Sequence, residues 1–162
     1  MHRPWLTNGV RRTVVVAGAG FGAVLLGAGV ASAADPVRLQ SRLGNWCLDG
    51  PNGADAATMV NPCDESKSQF WTFNSVGQIE SAAFPGECLS IAGAADGTPV
   101  TLSRCQANVA NQRWEHQANG YLTSALGPCL NVFGGVAQPG TPVIAYHHWI
   151  TDVADEQWDS VS

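Results

Sequence analysis

The sequence predicts an all-β protein in which three copies of a four-stranded unit close into a threefold barrel capped by hairpins. Two observations carry this expectation. Several residue types recur together at nearly constant spacing, with Cys47, Cys88 and Cys129 set 41 residues apart. The composition is rich in turn formers and poor in charge: 18 Gly and 9 Pro in 162 residues, with 13% charged, against about 25% in an ordinary soluble domain. A helical bundle would need more Glu, Lys and Ala and fewer breakers. A hydrophobic share of 45% is too high for a disordered chain.

The first element is an address. Residues 1–33 carry Arg3, Arg11 and Arg12 and no acid, residues 14–30 are apolar and uncharged, and Ala31-Ser32-Ala33 follows. Basic, apolar and small residues in that order read as a secretory signal peptide. Glycines 18, 20, 22, 27 and 29 weaken the run as a membrane span, so no stable insertion is expected once it is removed. Arg11-Arg12 also suits a twin-arginine signal, and the export route stays open. One secreted domain, residues 34–162, is expected to remain. It holds five Lys or Arg and all 13 acids. A body so acidic repels a phosphate backbone, which excludes nucleic acid as a partner.

The three units span about residues 36–76, 77–119 and 120–162. Each opens on an apolar-polar-Ser echo: Leu39-Gln40-Ser41, Ile79-Glu80-Ser81 and Leu122-Thr123-Ser124. A Cys-Leu pair follows in each, as Cys47-Leu48-Asp49, Cys88-Leu89-Ser90 and Cys129-Leu130-Asn131. Gly97-Thr98-Pro99-Val100 recurs unchanged at residues 140–143, and Trp71, Trp114 and Trp158 close the units. Residues 88–91, 100–105 and 113–116 of the middle unit, and 121–124 just beyond it, are short apolar or alternating runs, separated by Gly93, Gly97, Pro99 and Asn119-Gly120. That is strand and turn chemistry. A propeller of similar period needs at least about four blades. Closure of three units removes the open edges of so short-stranded a sheet. The three repeated tryptophans are expected in the core, each filling the same wedge.

The repeat also chooses the disulfides. Cys47 and Cys63 are 16 residues apart, and Cys88 and Cys105 are 17 apart. Equivalent positions pair within equivalent units. Counted from the shared Gly-Thr-Pro-Val, the place of Cys105 is taken by His148, which leaves Cys129 a buried, unpaired thiol.

The Cys-Leu opening, the internal Cys and the closing Gln-x-Trp of Gln69-Phe70-Trp71 and Gln112-Arg113-Trp114 resemble the ricin B-chain type lectin domain, a β-trefoil. In the third unit Glu156 stands in the place of the glutamine. The resemblance covers the chain beyond residue 36 and implies a carbohydrate-binding module without catalytic activity, cofactor or metal. It also implies up to one shallow sugar site per unit, built from an acid after Cys-Leu, an aromatic two residues before the second Cys, and an amide before the Gln. A carboxylate accepts charge-assisted bonds from adjacent hydroxyls. A ring offers a flat apolar platform at low entropy cost, and an amide both donates and accepts.

Carried over by position, each unit keeps one of the three roles. The first keeps the acid as Asp49, with Asn61 and Ser68 in the other two places. The second keeps the amide as Asn111, beside Gln112, with Ser90 and Ser103 elsewhere. The third keeps the aromatic as Tyr146, with Asn131 in the acid's place and Asp155 in the amide's. The third is the preferred sugar site, since Asn131 and Asp155 can exchange roles around Tyr146. The first, with Asp49 and Gln69, comes next. The rival reading is a degenerate trefoil that binds or inhibits a protein partner through its loops, which an exposed apolar loop patch would favour.

Other groupings carry less. His147-His148 with Asp152, Asp155 and Glu156 match no metal-ligand spacing. No Gly-x-Ser-x-Gly elbow occurs, and no acid pair is marked for glycosidase chemistry. Trp149 lies outside the repeated tryptophan position and either packs or extends a ligand surface near Tyr146.

Overall fold

The computed structural model describes residues 34–162; the signal-peptide reading of residues 1–33 lies outside them. Strands form where the apolar echoes predict them. The first unit holds β1 (Val37–Ser41), β2 (Trp46–Asp49), β3 (Met59–Pro62) and β4 (Phe70–Phe73). The second holds β5 (Ile79–Ser81), β6 (Glu87–Ile91), β7 (Thr98–Arg104) and β8 (Trp114–His116). The third holds β9 (Leu122–Ser124), β10 (Cys129–Val132), β11 (Thr141–Tyr146) and β12 (Trp158–Val161). Between them lie single 3-10 turns and loops, and the described residues hold no α-helix.

The pairing repeats three times. The second and third strands of each unit form a hairpin, β2 with β3, β6 with β7 and β10 with β11. The last strand of one unit pairs with the first of the next: β4 with β5, β8 with β9, and β12 back onto β1. That last pairing closes the ring, so no first or last strand is left without a neighbour. The hairpins meet at one end, where β11 pairs with both β3 and β7. This is a β-trefoil, as the repeat and the resemblance both lead one to expect.

Period-two alternation in the short opening strands turns their apolar residue inward; Ile79 and Ser81 are buried on either side of the half-buried Glu80. The core is correspondingly threefold. Leu39, Ile79 and Leu122 come from the opening strands, Leu48, Leu89 and Leu130 from the residue after each repeated Cys, and Trp71, Trp114 and Trp158 from the closing strands. All nine are 5% exposed or less. A buried indole needs a partner for its N–H. Each finds the carbonyl of its own unit's leucine: Trp71 Nε1 donates to Leu48 at 3.1 Å, Trp114 to Leu89 at 3.0 Å and Trp158 to Leu130 at 3.0 Å.

The disulfides Cys47–Cys63 and Cys88–Cys105 are formed, and Cys129 is free and buried. Burial pushes the Cys129 thiol up from its ordinary range, with the Thr123 hydroxyl 3.5 Å away. A protonated, enclosed thiol is a poor nucleophile. Cys129 is therefore expected to resist iodoacetamide at neutral pH and to take one label once denaturant is added, which intact mass reads directly.

The third unit departs from the other two between β10 and β11. Gly140 lies eleven positions after Cys129, where Gly97 lies nine after Cys88. The extra length forms a turn over Phe133–Gly135, with Gly134 and Gly135 both at φ 64°. Two successive left-handed residues are costly for any side chain but none for glycine. The turn leaves Phe133 on the surface, 57% exposed.

Candidate functional site

A short 3-10 turn precedes each closing tryptophan, over Lys67–Gln69, Ala110–Gln112 and Ala154–Glu156. It carries the Gln-x-Trp glutamine or its replacement inward. In the first two units this glutamine is a brace. Gln69 Oε1 accepts from the backbone N–H of Asp64 at 2.9 Å, and its Nε2 donates to the carbonyl of Pro62 at 3.0 Å. Gln112 repeats both bonds, from the N–H of Gln106 at 2.8 Å and to the carbonyl of Arg104 at 2.9 Å. The amides thus grip the backbone on either side of Cys63 and Cys105. Both side chains are buried, at 0% and 2% exposure. Their polar ends are occupied inside the fold.

The first unit's acid is likewise turned inward. Asp49 is 5% exposed, and its Oδ2 accepts from Asn61 Nδ2 at 2.9 Å and Gln69 Nε2 at 3.3 Å. Asn61, standing where an aromatic would offer a platform, instead reaches across to accept the N–H of Gly140 at 3.0 Å. Asp49 therefore holds three segments together. Asp49→Ala is expected to cost about 1–3 kcal/mol of stability by leaving both amides short of an acceptor; chemical denaturation measures it. In the second unit Asn111 Nδ2 donates weakly to Ser90 Oγ at 3.4 Å, with no ring beside it at position 103.

The third unit is different. Tyr146 ends β11 and is 38% exposed, with its backbone paired to Cys129 in β10. Asn131, in the same hairpin, donates through Nδ2 to Asp155 Oδ2 at 3.1 Å and to Glu156 Oε1 at 3.4 Å. The Tyr146 ring, the Asn131 amide and the Asp155 carboxylate line one hollow of about 340 Å³ with Phe133, Gly134 and Ile144. A second hollow of about 150 Å³ adjoins it and shares Asn131, Tyr146 and Asp155. The residues named for the third unit from sequence are therefore brought together; those of the first and second units are drawn into bonds within the fold.

Glu156 is the element the sequence marked without explaining. It is 3% exposed, and burial raises its carboxyl above the ordinary carboxylate range, partly offset by His148, whose Nδ1 lies 2.6 Å from Oε2. His148 sits where the other units have their second half-cystine, so a His–Glu contact replaces both disulfide and amide brace. His147 diverges from it and contacts Asp96 through Nδ1 at 2.7 Å.

Asp96 itself carried no sequence signal. It belongs to the turn before β7 in the second unit, yet it accepts from the backbone N–H of His147 at 2.7 Å and from Trp149 Nε1 at 3.3 Å. The His147 N–H, and then its ring, hold this carboxyl below the usual range. Its counterpart in the third unit is Pro139, so no repeat pointed to it.

Comparison with known proteins agrees with this architecture. A family model described as the ricin-type beta-trefoil lectin domain matches residues 35–158. An uncharacterized protein of Mycobacterium tuberculosis is 44% identical over 158 residues, 96% of each chain, and one of Mycobacterium bovis matches equally. Among solved structures, the designed threefold symmetric protein ThreeFoil aligns over 78% of this chain and 98% of its own, at TM-score 0.69 and 21% identity. The β-trefoil lectin of the Vibrio vulnificus hemolysin/cytolysin, solved with N-acetyl-D-lactosamine bound, aligns over 78% of this chain and 93% of its own, at TM-score 0.63 and 22% identity.

Proposed function

Because the chain belongs to the ricin-type beta-trefoil lectin family, we propose that it is an exported module that binds carbohydrate in the hollow around Tyr146 and performs no chemistry there. The observation that carries this reading is the third unit's grouping of a half-exposed ring, an amide and a carboxylate on one hollow. A pyranose would lay its C–H face on the Tyr146 ring. Its hydroxyls would donate to Asp155, whose position Asn131 holds. One shallow site binds weakly, so avidity would come from a ligand with many repeats or from several copies of the protein. The two intramolecular disulfides support export, since such bonds persist in oxidising compartments.

A glycan array probed with residues 34–162 tests the reading. Binding to a defined group of sugars is expected; silence across the array with the disulfides and melting transition intact overturns it. Intact mass of protein recovered from the medium, before and after reduction, tests loss of residues 1–33 together with the two bonds.

One observation favours a second reading, in which the loops engage a protein. Phe133, Val136, Trp149 and Ile150, all in the third unit, are 57%, 43%, 72% and 68% exposed. Grouped exposed apolar residues often mark an interface.

A further inference from the structure

We propose that the third-unit site takes two consecutive rings of a linear glycan, with Trp149 as the platform for the second ring. The proposal rests on the carbohydrate reading above and extends it to a ligand class. The two hollows share Asn131, Tyr146 and Asp155 in their linings, so the Asp155 carboxylate borders both. The second is lined by Trp149, Ile150 and Val153 together with Asp155 and Glu156.

An exposed tryptophan on a loop is usually loose, but Trp149 is tethered. Its Nε1 donates to Asp96 Oδ2 at 3.3 Å, and its ring lies 5.9 Å from that of His147. His147 is itself fastened to Asp96 Oδ1 by its backbone N–H and its Nδ1, each at 2.7 Å. The second unit thus holds the indole by its polar edge. A side chain fixed before binding loses less entropy when a ligand arrives.

The chemistry of the hollow selects a saccharide. Apolar side chains beside a carboxylate match a pyranose, which is apolar on its C–H face and polar at its rim. An apolar side chain from a protein partner would cover the Asp155 carboxylate and leave it only the Asn131 amide as donor. Hydroxyls next to the glycosidic linkage fall at the junction, where Asp155 serves both rings. Asp96 acts as a positioning residue.

Isothermal titration of the protein with galactose against N-acetyl-D-lactosamine, and with xylose against xylotetraose, tests this. In at least one pair the longer sugar is expected to bind about tenfold more tightly than its monosaccharide. Trp149→Ala and Asp96→Ala are each expected to remove that advantage and leave monosaccharide affinity unchanged, a split that mere loosening of the fold would not produce. Equal affinity for short and long sugars in the unmodified protein overturns the two-ring site but not sugar binding. So does an equal loss for both in Trp149→Ala. Failure of all four sugars overturns this inference, and silence of the array as well overturns the reading beneath it.

Discussion

Tyr146→Ala is expected to abolish detectable glycan binding and leave the fold intact. The two halves of that expectation come from the same geometry. Tyr146 is the terminal residue of β11, and its ring lies outside the cluster of leucines and tryptophans that forms the core. Its backbone bonds to β10 survive truncation. Substitution of an exposed ring on a sound strand changes stability by about 0.5 kcal/mol or less. Binding has no such reserve. A sugar gains little net energy from hydroxyl bonds alone, because each replaces a bond to water. The C–H face on the ring supplies the apolar term, and in a weak site its loss brings affinity below measurement. An array or titration reads the first half and a melting curve the second. Asp49→Ala is expected to do the reverse, lowering the melting temperature while binding persists. If Asp49→Ala removes binding and Tyr146→Ala does not, the site lies in the first unit.

The fold was legible because a threefold structure places three residues in one physical environment. Leu48, Leu89 and Leu130 each receive an indole N–H on their carbonyl, so the same residue types recur at the same places. The disulfides followed for the same reason. The site was only half legible, because binding roles are the part of a repeat that is free to diverge. Tyr146, Asn131 and Asp155 were recognisable by position. The inward use of Asp49, Gln69 and Gln112 was not, since it depends on backbone donors and acceptors that sequence does not display. Asp96 lies 51 residues from His147, and such a contact between units leaves no periodic trace. The departure at His148 and Glu156 was visible as a broken pattern; that the two residues compensate each other became clear only from their 2.6 Å contact.

Restoring that pattern with the double substitution His148→Cys and Glu156→Gln is expected to create a third disulfide, to Cys129, and to stabilise the protein by about 3 kcal/mol. Register supports the geometry. Cys129 faces Tyr146 across the hairpin as Cys88 faces Ser103 and Cys47 faces Asn61, and in each case the second position lies two residues further on. The loop to be closed is 19 residues, against 16 and 17 in the existing bonds. Both changes are needed. His148→Cys alone would leave Glu156 buried without its imidazole partner, a loss that offsets much of the gain. Gln at 156 can instead grip the backbone around residue 148 as Gln69 and Gln112 do around theirs. The pH dependence gives an independent check. Burial raises the Glu156 carboxyl in the folded chain above its ordinary value of 4.5. Between those two values the folded state holds a proton that the unfolded state has released, so this residue's contribution to stability falls as pH rises through that window. Glutamine does not titrate, and the double variant is expected to lose this part of the slope. Melting curves from pH 4 to 7, with and without reductant, measure both effects. A variant whose oxidised mass shows no loss of two hydrogens beyond the four of the existing bonds, or whose melting temperature falls with reductant no further than that of the unmodified protein, contradicts the assignment of position 148 as the missing half-cystine.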